Sequence, residues 1–161
     1  RREVMSVHYS IETISSDKDT NFTAALAQNA IENESLSFPS DYSTVNINKL
    51  KINSIAVQAD FTNTGAALDL EVVFWNTDGY SNTDLDTDGY IASVLFSNSD
   101  ARQIAGSGQY YYESENSFKS PIYYEDADGT GELHVGLVNR SATTFHADDT
   151  IKLSFVVEPI L

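Results

Sequence analysis

Residues 151–157 read Ile-Lys-Leu-Ser-Phe-Val-Val, and apolar side chains occupy every second position of this stretch. Successive side chains of a β-strand point to opposite faces, so the alternation predicts a strand with one buried face and with Lys152 and Ser154 on the other. The same period of two recurs at 5–11, 55–61, 68–74 and 133–137. Each stretch has about the length of one strand. The pattern therefore predicts an all-β protein.

Local features refine this strand pattern. Leu50 and Ile52 are out of phase with the alternation that follows them, and one long bent strand with a β-bulge near Asn53–Ser54 would explain the shift. The turn sequence at 63–65, Asn-Thr-Gly, separates two strong strand signals and predicts a hairpin. Phe22–Ile31 contains four Ala and one Leu, which are good helix formers, and predicts one short helix. Weaker strand signals lie at 42–48, 90–96, 109–113 and 118–124.

The uneven spacing of the strands predicts how they are connected. The long gaps at 14–41 and 76–89 favour Greek-key crossovers over a simple meander. We therefore expect an all-β, single-domain jelly-roll or Greek-key β-sandwich of about eight strands with one short helix. The domain should span residues 1–161, with residues 1–14 as an extended N-terminal strand or arm. An immunoglobulin-like sandwich is the alternative, although its Cys–Trp–Cys core pattern is missing.

The chain is strongly acidic, with 9 Lys and Arg against 24 Asp and Glu and a formal net charge of −15. Nucleic acids and anionic membrane surfaces attract basic proteins, so we expect no contact with nucleic acid. No stretch approaches the ~18 apolar residues of a membrane helix, and no membrane insertion is expected. The charge favours a cation or a basic partner surface. Five Lys against 14 Asp also suit a high-salt environment, where salt screens repulsion between carboxylates.

The local sequence with the most definite chemistry occupies residues 84–90 and reads Asp-Leu-Asp-Thr-Asp-Gly-Tyr. It resembles the D-x-D-x-D-G calcium loops of EF-hand proteins, in which carboxylates two residues apart converge on one hard cation. This resemblance implies that Asp84, Asp86 and Asp88 donate side-chain oxygens. It also implies that Tyr90 donates its backbone carbonyl. Calcium is therefore the cofactor that the sequence suggests.

Other residues extend or limit this calcium interpretation. Asp78, on a neighbouring Asp-Gly turn, is a further candidate ligand. The twelfth loop position is Leu95, so the bidentate Glu of the EF-hand is missing, and the flanks resemble strands or loops rather than paired helices. The resemblance therefore implies that the loop binds a metal in the same way, but it does not imply an EF-hand fold. The alternative is an acidic surface turn, which a chain rich in Asp forms easily.

A second acidic turn at 125–132 reads Glu-Asp-Ala-Asp-Gly-Thr-Gly-Glu. Its carboxylate spacing is less complete, so it is either a further metal candidate or a solvated hairpin. The histidines are His8, His134 and His146, and they have no H-x-x-x-H or Cys partner nearby. We therefore expect no zinc site. His8 and His134 fall on the polar face of predicted strands and should lie at a surface or an interface.

Aromatic residues flank the acidic loop and cluster further along the chain. Trp75, Tyr80, Tyr110 and Tyr112 are candidates for a ligand-binding aromatic surface, because exposed rings beside carboxylates stack on sugar rings. The alternative is structural, since Tyr favours strands and alternate Tyr residues in the run 110–112 would pack inward.

Residues for catalysis form no recognisable pattern. The chain has no Cys, no G-x-S-x-G motif and no Gly-rich phosphate loop. Nothing in the sequence selects one pair of carboxylates for glycoside hydrolysis. We therefore expect that the chain is not an enzyme.

An acidic, Cys-free chain of this size and strand pattern, without a catalytic constellation, resembles the single jelly-roll coat proteins of viruses. The composition is especially similar to those of membrane-containing icosahedral viruses of halophilic archaea, in which upright single barrels tile the shell as two related coat proteins. The resemblance covers the strand pattern of the whole chain, ending in Gly131–Pro159, without a diagnostic motif. It implies a capsid protein of the virion whose partners are copies of itself and a related coat protein.

A different class of function stays open at this point. A calcium-stabilised carbohydrate-binding or adhesin module, or an extracellular fibre subunit, would also use a β-sandwich and would be extracellular or at the cell surface. In the coat-protein interpretation, the extended run Val4–Thr13 could pair within the sheet of its own domain or reach the sheet edge of a neighbour.

Overall fold

The computed structural model describes residues 11–16, 22, 24–43, 46–76, 89–112 and 121–161. The strands are β1 (Glu12–Ser15), β2 (Ile31–Ser37), β3 (Lys49–Asp60), β4 (Leu70–Trp75), β5 (Tyr90–Phe96), β6 (Ala101–Gln103), β7 (Gln109–Tyr112), β8 (Ile122–Glu125), β9 (Glu132–Asn139) and β10 (Thr150–Pro159). The helical elements are the single turns α1 (Ser40–Ser43) and a 3₁₀ turn at Asn98–Asp100. Within these ranges, no helix has the length and apolar character to cross a bilayer.

The strands form two antiparallel sheets. The six-stranded sheet has the order β1-β10-β3-β7-β6. β8 also belongs to this sheet and shares one edge of β3 with β7, because β8 pairs with Lys49 to Ile52 and β7 pairs with Val57 to Asp60. The four-stranded sheet has the order β2-β9-β4-β5.

The chain passes repeatedly from one sheet to the other. Among the described strands, consecutive strands belong to the same sheet only for β4 and β5 and for β6, β7 and β8. The first and last strands are neighbours, since β1 pairs with β10 in register from Glu12 opposite Val157 to Ser15 opposite Ser154. A sandwich of two antiparallel sheets between which the chain crosses repeatedly in this way is a jelly roll. The predicted all-β jelly-roll sandwich is therefore confirmed.

The core lies between the two sheets. The apolar residues of the opening stretch, Ile151, Leu153, Phe155 and Val157, are all fully buried on one face of β10. Phe155 meets Phe74 of β4 edge to face, with ring centroids 5.6 Å apart, so this contact joins the six-stranded sheet to the four-stranded sheet. Burial of such large apolar side chains is the main favourable term in folding.

The predicted β-bulge is also confirmed. Val156 pairs with Ser54 and the next residue, Val157, pairs with Ile52. Asn53 is therefore the extra residue on β3. The bulge lets apolar residues on both sides of it face the core, because Ile52 and Ile55 are both buried.

The predicted hairpin at residues 63–65 is wrong. β3 belongs to the six-stranded sheet and β4 to the four-stranded sheet, so this turn leads the chain across the sandwich. The buried carboxylate of Asp149 holds the turn by accepting hydrogen bonds from the backbone N–H groups of Asn63 and Thr64, at 3.0 and 2.6 Å. The side chains of Asn63 and Thr64 donate two further hydrogen bonds to this carboxylate, at 2.9 and 2.6 Å. The alternation of residues shows which face of a strand is buried, but not which sheet the strand joins.

The predicted helix at Phe22–Ile31 is wrong as well. Leu26 forms an isolated antiparallel bridge with Phe145. The carbonyl of Leu26 also accepts a hydrogen bond from the side-chain amide of Asn139 at 3.0 Å. Ile31 begins β2, so contacts with distant residues override the local preference of Ala and Leu for helix. The helical turn lies instead at Ser40–Ser43.

The weaker strand signals have mixed outcomes. The stretches 90–96 and 109–113 correspond to β5 and β7, and the end of 118–124 falls in β8. The stretch 42–48 is not a strand where the structure describes it, because Tyr42 belongs to α1 and residues 46–48 are in a turn or have no regular structure. Of the predicted N-terminal arm, residues 12–14 lie in β1 and residues 1–10 are outside the described residues.

Candidate functional site

The residues of the predicted calcium loop lie almost entirely outside the described residues. This applies to Asp78, Asp84, Asp86 and Asp88. Tyr90 is described as the first residue of β5, with its hydroxyl 3.1 Å from the hydroxyl of Ser93. The calcium loop therefore stays a prediction.

The structure instead brings together residues of the second acidic turn and a histidine. Asp126 follows β8, Asp128 lies in the turn, and His134 is in β9. Nε2 of His134 lies 3.4 Å from Oδ1 of Asp126 and 3.3 Å from Oδ2 of Asp128. Gly129 and Gly131 have positive φ angles of 71° and 73°, which allow the turn to fold back onto β9. We refer to Asp126, Asp128 and His134 as the acidic-turn cluster.

Neighbouring groups fix the orientation of each side chain in the cluster. Nδ1 of His134 lies 2.8 Å from the hydroxyl of Ser35 on β2. Oδ2 of Asp126 accepts hydrogen bonds from the backbone N–H groups of Gly131 and Glu132, at 2.6 and 3.2 Å. These contacts leave Oδ1 of Asp126 and Nε2 of His134 directed toward each other.

Oδ1 of Asp128 accepts hydrogen bonds from the backbone N–H and the hydroxyl of Thr130, at 3.3 and 2.9 Å. Its other oxygen, Oδ2, is the one that lies near His134. Each carboxylate of the cluster is therefore held by the turn through one oxygen and presents the second oxygen to the imidazole.

The cluster is buried on one side and open on the other. The side chain of Asp126 is fully buried and that of His134 is 4% exposed, whereas that of Asp128 is 28% exposed. Burial raises the pKa of Asp126, and the neighbouring carboxyl group of Asp128 raises it further, while the N–H groups of Glu132 and Gly131 lower it. Oδ1 of Asp126 and Nε2 of His134 are buried without a hydrogen-bond partner.

The expectation that His134 lies at a surface or an interface is wrong. β9 is a central strand, between β2 and β4, and is buried on both faces. The second buried face of β9 includes Val138, which packs in a small apolar cluster with Val73 and Trp75, separate from the main core. Ile31 packs against this cluster. The side chain of His146 is 49% exposed, and His8 lies outside the described residues.

The predicted aromatic surface is not formed by those of its residues that the structure describes. Trp75 is buried against Tyr90, with ring centroids 5.7 Å apart. Tyr110 is partly buried against Phe61, and Tyr112 is buried. Tyr80 lies outside the described residues. The structural alternative therefore describes the tyrosine run, because alternate residues of β7 point into the core.

Tyr112 gives a direct test of this arrangement. Its buried hydroxyl donates a hydrogen bond to the backbone carbonyl of Leu68, just before β4, and burial raises its pKa well above the ordinary range. Replacement of Tyr112 by Phe should lower the free energy of unfolding by about 1–3 kcal/mol, because the carbonyl loses its buried donor. Tyr111→Phe, at an exposed position next to it, should change it by less than about 0.5 kcal/mol. Urea denaturation of both variants measures the difference, and equal losses would contradict the inward orientation of Tyr112.

Exposed apolar side chains occur mainly on or beside the edge strands. Among the described residues, the large exposed apolar side chains are those of Ile11, Tyr90, Leu95, Ile104, Tyr111, Tyr123 and Leu161. Tyr90 and Leu95 are on β5, the edge of the four-stranded sheet, and Ile104 directly follows β6, an edge of the six-stranded sheet. The rings of Phe96 on β5 and Tyr112 on β7 pack together, with centroids 6.2 Å apart. Because β7 pairs with β6, the β5 edge and the β6 edge lie on the same side of the sandwich.

No protein-family model matches this chain, and no curated protein matches it. Solved virus structures do match it. A chain of the tomato aspermy virus structure is 10% identical, with 100% of this chain and 82% of that chain covered and a TM-score of 0.44. A chain of turnip yellow mosaic virus is also similar, with 10% identity, 100% of this chain and 87% of that chain covered and a TM-score of 0.31. A chain of mud crab tombus-like virus is 10% identical, with 100% of this chain and 95% of that chain covered and a TM-score of 0.32. At these TM-scores, the fold assignment rests on the strand order and not on the matches.

A groove of about 320 Å³ lies on the six-stranded sheet. Its lining includes two charged side chains, Asp60 and Lys152. Oδ1 of Asp60 accepts hydrogen bonds from the backbone N–H and the hydroxyl of Thr62, at 2.9 and 2.6 Å. This carboxylate therefore stabilises the end of β3, and the groove lining does not bring two acidic groups together.

Proposed function

We propose that the chain is a structural subunit of a virus shell, held in place by contacts with copies of itself and with a related coat protein. Jelly-roll sandwiches occur in viral capsids, in lectins and in cupins. The observation that carries the proposal is the edge strand β5, which runs Tyr-Ile-Ala-Ser-Val-Leu-Phe over Tyr90–Phe96 without a charged residue or a proline.

Such an edge strand is unusual for a protein that remains alone. Natural proteins protect exposed sheet edges with charges, prolines or bulges, because the free N–H and C=O groups of an edge pair with other chains. β5 has one bulge, at Ile91 near its start, since Phe74 pairs with Ala92 and Trp75 with Tyr90, and residues 92–96 have no such protection. Within the described part of the chain, β5 pairs with β4 alone, and Leu95 on it is 52% exposed. A neighbouring subunit that covers this edge would bury both the apolar side chains and the backbone groups.

The interior of the sandwich supports a role based on contacts rather than on ligand chemistry. Apolar side chains from both sheets, such as Phe74 and Phe155, fill the space between the two sheets. Trp75 and Tyr112 are buried, so these two candidate rings are not available to stack on a sugar. Both observations favour the coat subunit, without enzymatic activity, over the carbohydrate-binding module.

The charge of the chain sets the conditions for assembly. Copies with a net charge of −15 repel each other at low salt. The screening length falls from about 10 Å at 0.1 M to about 3 Å at 1 M salt, so contacts between acidic surfaces form more easily in concentrated salt. We extend the proposal to a high-salt source and to calcium at Asp84, Asp86 and Asp88, since a bound cation would lower the same repulsion.

Sedimentation velocity tests this proposal. The chain should sediment mainly as small species at about 0.1 M NaCl and as large, concentration-dependent assemblies at about 2 M NaCl. Leu95→Lys places a charge on the open edge and should abolish the large species. The thermal unfolding midpoint of this variant should stay within a few degrees of that of the unaltered chain. Ala56→Lys adds the same charge at an exposed position on β3, away from β5, and should assemble normally. A chain that stays monomeric at every salt and protein concentration would contradict the proposal.

A further inference from the structure

We infer that the acidic-turn cluster, Asp126, Asp128 and His134, binds one divalent transition-metal ion, with Zn²⁺ as the preferred ion. The site is distinct from the predicted calcium loop and does not depend on the proposed coat function. It uses one imidazole nitrogen and two carboxylate oxygens, which together form a donor set suited to zinc.

The distances fit a metal better than a hydrogen-bonded ion pair. Donor atoms about 2.1 Å from a tetrahedral ion lie about 3.4 Å from one another. Nε2 of His134 is 3.4 Å from Oδ1 of Asp126 and 3.3 Å from Oδ2 of Asp128. One donor atom from each residue lies within 4.8 Å of the other two. A direct charge-assisted hydrogen bond would bring nitrogen and oxygen to about 2.8 Å.

The second observation is the pair of unpartnered buried atoms. Nε2 of His134 and Oδ1 of Asp126 have no hydrogen-bond partner, although both side chains are more than nine-tenths buried. Buried polar atoms without a partner are rare and costly. A cation between these atoms would coordinate both, and no rearrangement of the turn would be needed.

The surroundings prepare the cluster for an ion. The hydroxyl of Ser35 at Nδ1 fixes the ring of His134, as second-shell groups do at metal-bound histidines. The N–H groups of Gly131 and Glu132 hold Asp126, and Thr130 holds Asp128, each through the oxygen that does not face the imidazole. The more exposed side of the cluster, at Asp128, leaves a fourth position for water or for a group from outside.

The nitrogen donor determines which ions should bind. Ca²⁺ and Mg²⁺ prefer oxygen ligands only, whereas imidazole is a good ligand for Zn²⁺, Co²⁺ and Ni²⁺. A bound ion would connect the β8–β9 turn to β9. We therefore expect zinc to stabilise the protein and calcium to have no effect at this cluster.

Titration calorimetry with Zn²⁺ and absorption spectroscopy with Co²⁺ test the inference on the full chain. Zinc should bind with a stoichiometry near one, and Co²⁺ should give the visible absorption of a four-coordinate site that excess Ca²⁺ does not remove. Asp128→Asn, at the partly exposed position, should weaken Zn²⁺ binding by about tenfold or more. Asp148→Asn removes the same charge beside the exposed His146 and should leave binding unchanged.

Two results would overturn the inference: no binding of Zn²⁺ to the folded chain, or equal binding by the Asp128→Asn variant. Circular dichroism checks that the variant is folded. A second measurement, by NMR, uses the unaltered chain and so does not depend on that variant. The ¹⁵N resonance of Nε2 of His134 should shift on addition of Zn²⁺. An unchanged resonance under saturating zinc would contradict the site.

Discussion

Replacement of Phe155 by Ala should lower the free energy of unfolding by about 3–5 kcal/mol. Phe155 is fully buried in β10, which lies between β1 and β3 in the six-stranded sheet. Its ring packs edge to face on Phe74 of the four-stranded sheet, so truncation leaves a cavity at the contact between the two layers. Urea denaturation monitored by circular dichroism measures the change.

Val156→Ala is the matched control, because Val156 is the next residue of β10 and is only partly buried. This variant should lose no more than about 1.5 kcal/mol. If both variants lost the same stability, the alternation of buried and exposed faces along β10 would be wrong.

Replacement of Asp149 by Ala should lower the free energy of unfolding by about 2–4 kcal/mol. Its buried carboxylate accepts four hydrogen bonds from Asn63 and Thr64, and these hold the turn that leads from one sheet to the other. Without the carboxylate, two backbone N–H groups lose their partners. Asp148→Ala removes the same charge one residue earlier, where the side chain is 81% exposed, and should change stability by less than about 0.5 kcal/mol.

The contribution of Asp149 should also depend on pH. Burial alone would raise the pKa of this carboxyl, but the hydrogen bonds from Thr64 and Asn63 outweigh burial and lower it. A carboxylate whose pKa is lower in the folded state stabilises the protein above its unfolded pKa, about 3.9, and loses that effect as the pH falls through the folded value. The stability difference between the unaltered chain and Asp149→Asn should therefore shrink as the pH falls below about 4. A difference that grows on acidification would contradict this account.

The sequence predicts a strand well when the strand's own residues show the alternation of apolar and polar side chains. β10 alternates strictly because one of its faces meets the core and the other does not. The bulge at Asn53 could be predicted for the same reason, since the apolar positions of β3 change phase there. In both cases the periodicity of the side chains contains all the information that the prediction requires.

β2 could not be predicted in this way. Ile31–Ser37 reads Ile-Glu-Asn-Glu-Ser-Leu-Ser, and only Leu36 is buried. The strand exists because it pairs with β9 along its full length, from Ile31 opposite Val138 to Ser37 opposite Glu132. An edge strand held by backbone hydrogen bonds to a distant segment leaves little hydrophobic pattern in its own residues.

The sequence predicts only part of the acidic-turn cluster. The spacing of Asp126 and Asp128 indicates a metal candidate, but the alternation along the strand places His134 on a polar face. Periodicity cannot show that a central strand such as β9 is buried on both faces. The glycines at 129 and 131, both with positive φ, are the sequence feature that could have indicated that the chain turns back toward β9 here.

Cryo-electron microscopy of the purified chain in concentrated salt tests the central claim, that this jelly roll is built to join other copies of itself, most directly. We predict closed, regular shells in which the β5 edge with Leu95 is covered by a neighbouring subunit. Isolated sandwiches, or particles in which this edge faces solvent in every copy, would contradict the claim.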